Sequence, residues 1–455
     1  MSNVSKQKSD VLLYTGSNFF RQRIVLATLF RQSICIQDIR NSTIASGIKP
    51  YEASLLRLID KITNGSNFYI DATGTELQFN PGCLVGGEDI CHDCGSERNI
   101  TYFLEALLLL APFCKYHLDI RLRGVTNGCL SHDNGKESLD PSVDLFKSIL
   151  LPFMKRIDSE FENIKLEIIK RDFVSSNKGE VRFYCPVVQK INPIQLSEQG
   201  RIKRIRGVAV TQHVSSQFAI RMIDRIRWSL NDILPDVWVY HILSKNQDST
   251  LPGYGVTLVA ETMKGYVKGV DVFYNKSVQE MYQTCVEKEK SKKKSLTVKS
   301  EAILTTENEQ KNDAFNSKKI EENLLKDFSL QEFMGVLASQ RLLMQIHLGG
   351  VIGTTFQYIP MLFMALAEEH QVCEIKISHL TPYTIQFLRH ISDFCSVKFA
   401  VNELKCKEEE LSTTDNNSDD ASCASDHVHS VLPEQQEYLL KCVGIGYKNN
   451  VKPAF

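Results

Sequence analysis

The sequence has almost no net charge and no long apolar run, and each absence excludes a class of protein. With 53 Lys and Arg against 54 Asp and Glu, the formal net charge is −1, so any contact with nucleic acid has to come from local basic patches. The most apolar run, Phe103 to Phe113, is far too short to cross a bilayer and contains Glu105, so no membrane insertion is expected. The first ten residues are polar, and no secretory signal is expected.

Motifs for nucleotides and metals are also scarce. The segments "VGG" and "GYGV" contain too few glycines to match either GxxxxGK[ST] or GxGxxG, so no phosphate loop is predicted. The CxxC pair Cys91 and Cys94 would need two more zinc ligands, which only Cys129 and His132 offer on spacing. Thirteen cysteines in a chain without a signal favour reduced thiols. We therefore interpret the pair as free thiols near a helix start and predict no cofactor and no metal.

The pattern of apolar residues predicts an α/β protein built of α+β layers, and 455 residues are too many for one average core. Strands are predicted in "SICIQDIR", "LDIRLRGVTN" and "NFYIDATGTELQF", the last bending at Thr73-Gly74. Helices are predicted from Tyr51 to Ile62, in "ITYFLEALLLLAPF", and after Asp140 as N-cap with Pro141 in the first helical position.

Three further segments differ from the rest of the chain in their pattern of residue types. Cys185 to Gly265 predicts a small α+β unit, with a basic strand, a helix near Gln217 to Leu230, and strands in "DVWVYHIL" and "GYGVTLVAET". Glu287 to Ser317 and Glu408 to Asp426 are polar and charged, which predicts disordered insertions. Within the first of them, "SKKKS" fits either a nuclear import signal or a solvated linker.

The small unit contains the densest basic set outside the insertions. Lys203, Arg204 and Arg206 lie within one short strand, and the next helix carries Arg221 and Arg225 on one face, with Trp228 three residues further on. Guanidinium groups beside an aromatic ring suit phosphate contact and base stacking on single-stranded RNA. The alternative is a solvated helix face with a half-buried tryptophan.

Several motifs together resemble the RNA 3′-terminal phosphate cyclase family, and most closely its eukaryotic cyclase-like branch. They are "TGSNFFRQRIVLATL", "GTELQFNPGCLVGG", "LRGVTN", "VRFYCPVV", "PIQLSEQGRIKRIRGVA", "LTPYTIQFLRH" and "CVGIGY". The resemblance covers nearly the whole chain apart from the two insertions. It implies a large domain of repeated β/α units, each a sheet with two helices, over residues 1–184 and 273–455, interrupted by disordered insertions at about 287–317 and 408–426. A smaller α/β domain over residues 185–272 is inserted in it.

The chain departs from the active members of that family at four places. Their adenylated histidine lies in a motif H-x-x-T at a helix start. Thr384 fits the threonine, which puts Thr381 where the histidine belongs, and His379 matches only if the helix start is shifted. Ser339 replaces the acidic residue of an A-D-Q segment. The glycine-rich loop is reduced to "TGSNFFR", although Arg21 remains, and a triple glycine is replaced by "SSNKGE". We therefore expect no cyclase activity and regard His379 as a bystander.

The resemblance implies a nucleolar, and therefore nuclear, factor for small-subunit (18S) rRNA processing and ribosome assembly. It would bind pre-rRNA, a ribosome-biogenesis GTPase and the small-subunit pre-ribosome. Two alternatives remain open. One is an endoribonuclease on the same scaffold, for which Arg389 and His390 are suggestive. The other is an ATP-dependent cyclase that uses His379. If the basic set of the small unit does not bind RNA, the cleft around Arg21, Thr381 and Arg389 is the next candidate.

Overall fold

A computed structural model of the protein describes residues 11–42, 46–128, 130–133, 136–173, 178–245, 251–287, 329–404 and 436–449, with the backbone alone for 130–133 and 136–139. The segment "SKKKS" and both predicted insertions, apart from Glu287, lie outside these ranges. Among the described residues no helix is both long and apolar enough to traverse a lipid bilayer.

The first two units of the fold follow each other along the chain. The first comprises β1 (Leu12–Thr15), α1 (Phe20–Phe30), β2 (Ile34–Gln37), α2 (Pro50–Ile62), β3 (Thr63–Asn64), β4 (Asn67–Ile70), β5 (Leu77–Asn80) and β6 (Cys83–Leu84). The second comprises β7 (Gly87–Asp93), α3 (Ile100–Leu110), β8 (Leu118–Gly124), β9 (Leu130–Asp133), β10 (Lys136–Leu139), α4 (Val143–Ile157), β11 (Lys165–Lys170) and β12 (Gly179–Cys185). Short 3₁₀ turns follow α3 and α4, at Ala111–Phe113 and Ser159–Phe161.

The third unit is split by a smaller one. It begins with β13 (Gln195–Leu196). The smaller unit then comprises β14 (Ile202–Gln212), α5 (Gln217–Leu230), β15 (Val237–Ser244), β16 (Gly253–Thr262), β17 (Val267–Phe273) and α6 (Leu330–His347), and residues 276–287 are also helical. The third unit continues with α7 (Ile359–Leu366), β18 (Val372–Ile377), α8 (Pro382–Cys395), β19 (Ala400–Leu404) and β20 (Glu437–Val443).

The three large units share one strand order. Their sheets run β1-β2-β5-β4, β7-β8-β12-β11 and β13-β18-β20-β19. In each, the first two strands are parallel and the other contacts are antiparallel. Parallel neighbours need a crossover connection, which a helix supplies in every unit. Residues of all three units form one continuous apolar core. The predicted α/β class and the repeated sheet-plus-two-helix unit are thus confirmed.

The smaller unit has a different strand order, β15-β14-β16-β17, with β14 in the interior. Its own core lies on one face of the sheet, where α5 packs together with α6. The sequence placed α6 in the large domain, but Met334, Ala338 and Leu342 are buried against the small sheet because they form the apolar side of α6. Conversely, Ile191 and Leu196 belong to the core of the large units. The exact division into domains stays a proposal.

Two local predictions are wrong. Ser142, not Asp140, caps α4: its Oγ accepts a hydrogen bond from the backbone N–H of Leu145 at 3.0 Å. Asp140 instead binds the guanidinium of Arg98 at 2.7 and 2.8 Å, a stronger partner than a helix N–H.

The CxxC pair is also placed differently from the prediction. Cys91 lies in β7 and not near a helix start, and Cys94 follows that strand directly. Residues three apart along an extended chain point to opposite sides, and accordingly Cys91 is exposed while Cys94 is buried. The side chains of Cys129 and His132 lie outside the described part of the chain. The described residues thus do not present the pair as two ligands on one side.

Candidate functional site

The family resemblance assigns the nucleophile position to the start of α8. The Oγ1 of Thr381 accepts hydrogen bonds from the backbone N–H of Thr384 at 3.2 Å and from Nε2 of Gln357 at 3.0 Å, and it lies 2.9 Å from the hydroxyl of Thr384. The predicted cap and the proline at the first helical position are both confirmed. A nucleophilic hydroxyl needs a base that takes its proton. Within the described chain, Thr381 has amide and hydroxyl neighbours instead.

His379 and Ser339 have surroundings that differ from those of the cap. His379 is half-buried at the end of β18, and it makes no hydrogen bond or ion pair with the residues that the structure describes. Ser339 is buried inside α6, where its hydroxyl donates to the backbone C=O of Gly335 at 3.0 Å. Neither His379 nor Ser339 therefore forms a catalytic arrangement with Thr381 in the part of the chain that the structure describes.

A cavity of about 380 Å³ opens beside the starts of α1 and α8. Three arginines line it, and each binds a carboxylate. Arg21 pairs with Glu105, Arg40 with Glu52 at 2.6 and 2.8 Å, and Arg98 with Asp140. The phenol of Tyr383 also accepts a hydrogen bond from Arg21 at 3.0 Å. Each of the three cations of the cavity thus has a carboxylate partner.

The loop before α1 contributes an aromatic side chain in place of a glycine. Phe19 lines the cavity with φ of 60°, in the left-handed region that glycine adopts without cost. Its ring packs against Tyr383, with ring centroids 5.8 Å apart, and against His390 at 6.2 Å. The family resemblance places a glycine-rich loop at this position, and here the loop carries an aromatic ring that packs on Tyr383 and His390.

The adjacent residues Arg389 and His390 of α8 differ in burial. Arg389 is exposed, whereas His390 is buried with Phe387 and Ile391. The imidazole Nδ1 of His390 lies 3.0 Å from Oε1 of Gln22, and its Nε2 lies 3.1 Å from the amide nitrogen of Gln386. Burial, with a smaller effect of Arg23, lowers the pKa of His390 to about 3. A surface Arg–His pair that moves a proton is therefore not what the structure shows.

The basic residues of β14 project mainly from the sheet face opposite α5. Arg204 pairs with Glu261 at 2.6 Å, and Arg206 with Asp236 at 2.7 and 3.0 Å. Ile205, between them, is buried against α5, since side chains alternate along a strand. Lys203 lies at a bulge, is exposed, and makes no ion pair with described residues.

The basic residues of the helix lie on the other side of the sheet. Arg221 is exposed on α5, and the guanidinium of Arg225 lies 4.0 Å from the ring centroid of Trp228. Trp228 is 58% exposed, more than a half-buried packing residue would be. The structure thus confirms the predicted neighbours on the helix, but it does not bring Arg221 and Arg225 together with Arg204 and Arg206. Their contact with RNA stays a prediction.

Sequence reasoning missed two exposed aromatic residues on β15. Trp238 and Tyr240 are 51% and 56% exposed, and they project from the same sheet face as Arg206. The guanidinium of Arg227 lies 5.5 Å from the ring centroid of Trp238. The signal was present in "DVWVYHIL", where period-two alternation puts both rings opposite the buried valines.

Comparison with known proteins agrees with this architecture. The family described as "RTC: RNA 3'-terminal phosphate cyclase" matches residues 12–401. The chain is 35% identical over 440 residues to the human RNA 3'-terminal phosphate cyclase-like protein, covering 96% of each chain. It is 34% identical over 446 residues to the probable RNA 3'-terminal phosphate cyclase-like protein of Dictyostelium discoideum, covering 98% of this chain and 100% of that protein. It is also 38% identical over 254 residues to an rRNA processing protein of Schizosaccharomyces pombe, covering 55% and 67%. The chain belongs to the RNA 3'-terminal phosphate cyclase family.

Proposed function

We propose that this protein is an RNA-binding factor for rRNA processing that lacks cyclase activity. More specifically, it acts in small-subunit (18S) rRNA processing in the nucleolus of the nucleus. Its partners are pre-rRNA, the small-subunit pre-ribosome and a ribosome-biogenesis GTPase. The rRNA-processing role that names the fission-yeast relative supports the process, and the resemblance to the cyclase-like branch alone supports the GTPase.

Thr381 is the observation that carries the absence of cyclase chemistry. A nucleotidyl-transfer intermediate of this family forms on an imidazole nitrogen, whereas Thr381 offers a hydroxyl whose oxygen is already a helix cap. Phe19, with positive φ, stands in the loop where the resemblance expects glycine, and Glu105 pairs with Arg21. These three features act on the nucleophile, the loop and the cation separately. Restoring any one of them would therefore leave the other two obstacles in place.

Charge distribution supports RNA binding through the smaller unit. Residues 201–273 contain ten Lys and Arg against six Asp and Glu, although the whole chain has a net charge of −1. Attraction to phosphates depends on such local excess, because opposite charges beyond about 10 Å are screened at moderate salt. The basic strand and helix are thus the part of the described fold that suits RNA best.

The direct test combines an adenylation assay with RNA binding. The protein is incubated with labelled ATP and RNA ending in a 3′-phosphate, with an active cyclase as positive control. We expect no protein–AMP adduct, and filter binding of 18S pre-rRNA fragments. An adduct that disappears in His379→Ala would establish the ATP-dependent cyclase instead. Failure to bind RNA at low salt would contradict the RNA-binding part of the proposal.

An endoribonuclease on the same scaffold is the second candidate, and the geometry of α8 does not favour it. General acid–base cleavage needs a group that changes protonation near neutral pH within reach of the phosphate. His390 is buried and stays neutral, whereas Arg389 is exposed. Incubation of pre-rRNA with the protein and with His390→Gln tests this candidate. Cleavage that the substitution abolishes would revive it.

A further inference from the structure

The outer face of β14 and β15 combines exposed rings with cations in a way that the proposed function does not by itself require. We propose that this face is a stacking platform for single-stranded RNA, on which two successive bases lie against Trp238 and Tyr240. The inference rests on the proposed RNA binding and adds to it the site and the strandedness of the ligand.

The register of the sheet places aromatic and basic side chains side by side. Arg206 is the neighbour of Trp238 across the parallel pair, and Val208 is the neighbour of Tyr240. The two rings are two residues apart on one face, with centroids 6.0 Å apart and planes at 63°. Rings held at this spacing on a sheet can each accept one base of an unpaired strand, because every base has a π-face.

This face is accessible along β15, because the parts of the large units that cover it end at β14. The start of α4 covers β16 and β17, where Ser142 donates its backbone N–H to Asp271 at 2.7 Å and its hydroxyl at 3.1 Å. Phe173 packs with Val208 and Val210 of β14. The opposite face carries α5 and α6. β15 is an edge strand. Trp238 and Tyr240 are therefore exposed without belonging to either core.

The charges around the rings favour RNA over an apolar partner. Arg227 belongs to α5 on the other side of the sheet, but its guanidinium lies over the ring of Trp238 in the edge strand, and it makes no ion pair with any residue that the structure describes. Asp236 accepts two hydrogen bonds from Arg206, which fix its guanidinium next to the ring of Trp238. Lys203 lies on the same strand. Cations flanking stacked rings match alternating bases and phosphates, whereas paired bases in a duplex present no free faces.

The two tryptophans make the test direct, since the chain contains only Trp228 and Trp238. Trp228→Phe leaves Trp238 as the sole indole, and Trp238→Phe leaves Trp228, which is similarly exposed and also has an arginine over its ring. Each variant is titrated with a twelve-residue oligouridylate and with an RNA duplex of equal length. We expect the single strand to quench Trp238 emission more strongly than Trp228 emission. Quenching of Trp228 alone would overturn the assignment.

Affinity measurements separate stacking from charge. Trp238→Ala and Tyr240→Ala should each weaken single-strand binding about tenfold, because base–ring stacking contributes that order of free energy. The dependence on salt should keep its slope, since both variants retain every cation of the face. Tyr69→Ala removes an exposed ring of β4 in the first unit, is the control, and should bind normally. Thermal melting of each variant verifies folding.

The outcomes distinguish this inference from the proposed function. If the wild type binds RNA and a variant that combines Trp238→Ala with Tyr240→Ala binds equally well, the platform is wrong while RNA binding stands. If the wild type binds no RNA, the proposed function itself fails. Unchanged RNA affinity together with an absence of cosedimentation with pre-ribosomes would assign this face to a protein partner and overturn the inference.

Discussion

Arg21 in α1 and Glu105 in α3 form an ion pair inside the cleft, and the phenol of Tyr358 donates a hydrogen bond to the same carboxylate. Only 13% of the arginine side chain and 5% of the glutamate side chain are exposed. Arg21 also donates to the backbone C=O of Tyr102 at 3.0 Å. A residue that the family resemblance assigns to nucleotide binding has thereby become a structural link between two units.

Loss of that carboxylate should destabilise the protein strongly. Glu105→Ala leaves the Arg21 charge buried without its partner, which costs about 3–5 kcal/mol in comparable pairs. Tyr358→Phe is the control, because it keeps the ring and removes one hydrogen bond, with a loss of about 1.5–3 kcal/mol. Urea unfolding followed by circular dichroism measures both. A smaller loss for Glu105→Ala than for Tyr358→Phe would contradict the role of the pair.

Thr381 should prove to be a cap. Thr381→Ala removes the acceptor for the N–H of Thr384 and should lower the free energy of unfolding by about 1 kcal/mol. Thr381→Ser keeps the acceptor and should cost little. Differential scanning calorimetry compares the two variants, with the adenylation assay on both. Equal melting temperatures for Ala and wild type would show that the cap contributes nothing.

His390 should make the fold sensitive to acid. Its pKa is about 3 in the folded protein against an ordinary value of 6.5, so the unfolded chain binds the extra proton between those values. Stability should therefore fall as pH drops from about 6.5 towards 3 and be independent of this group above that range. His92, whose pKa burial lowers to about 4, acts in the same direction.

The measurement is urea unfolding at pH 7.5 and at pH 5. The free energy of unfolding should differ less between the two pH values in His390→Gln than in the wild type. The difference that remains should come from His92. Imidazole chemical shifts from nuclear magnetic resonance provide the direct control. A His390 resonance that titrates above pH 5.5 would contradict the buried neutral ring.

The basic strand should determine the response of RNA binding to salt. Converting Lys203, Arg204 and Arg206 to Ser should reduce the salt slope by ~0.7 for each phosphate that the variant no longer neutralises. Melting should change little, because the ion pairs of Arg204 and Arg206 lie near the surface, and such pairs contribute about 0–1 kcal/mol each. Filter binding across a salt series measures the slope. An unchanged affinity and slope would move the RNA site to the cleft around Arg21, Thr381 and Arg389.

Local chemistry in the sequence was sufficient for the elements and the family. The threonine–proline pair at Thr381 predicted the start of α8, and apolar spacing predicted α5 from Gln217 to Leu230. The glycine at Thr73-Gly74 marked the turn before β5, where Gly74 adopts positive φ. These features depend on residues within a few positions of one another, and therefore sequence patterns report them well.

Tertiary structure alone decided which side chains meet. Asp140 binds Arg98, 42 positions away, instead of capping the helix. His390 is a buried neutral ring that contacts Gln22, 368 positions away. The basic residues of β14 and α5 separated because a sheet lies between them, and α6 joined the small unit through its apolar side. Such pairings depend on contacts between distant segments, whose free energies no local pattern contains.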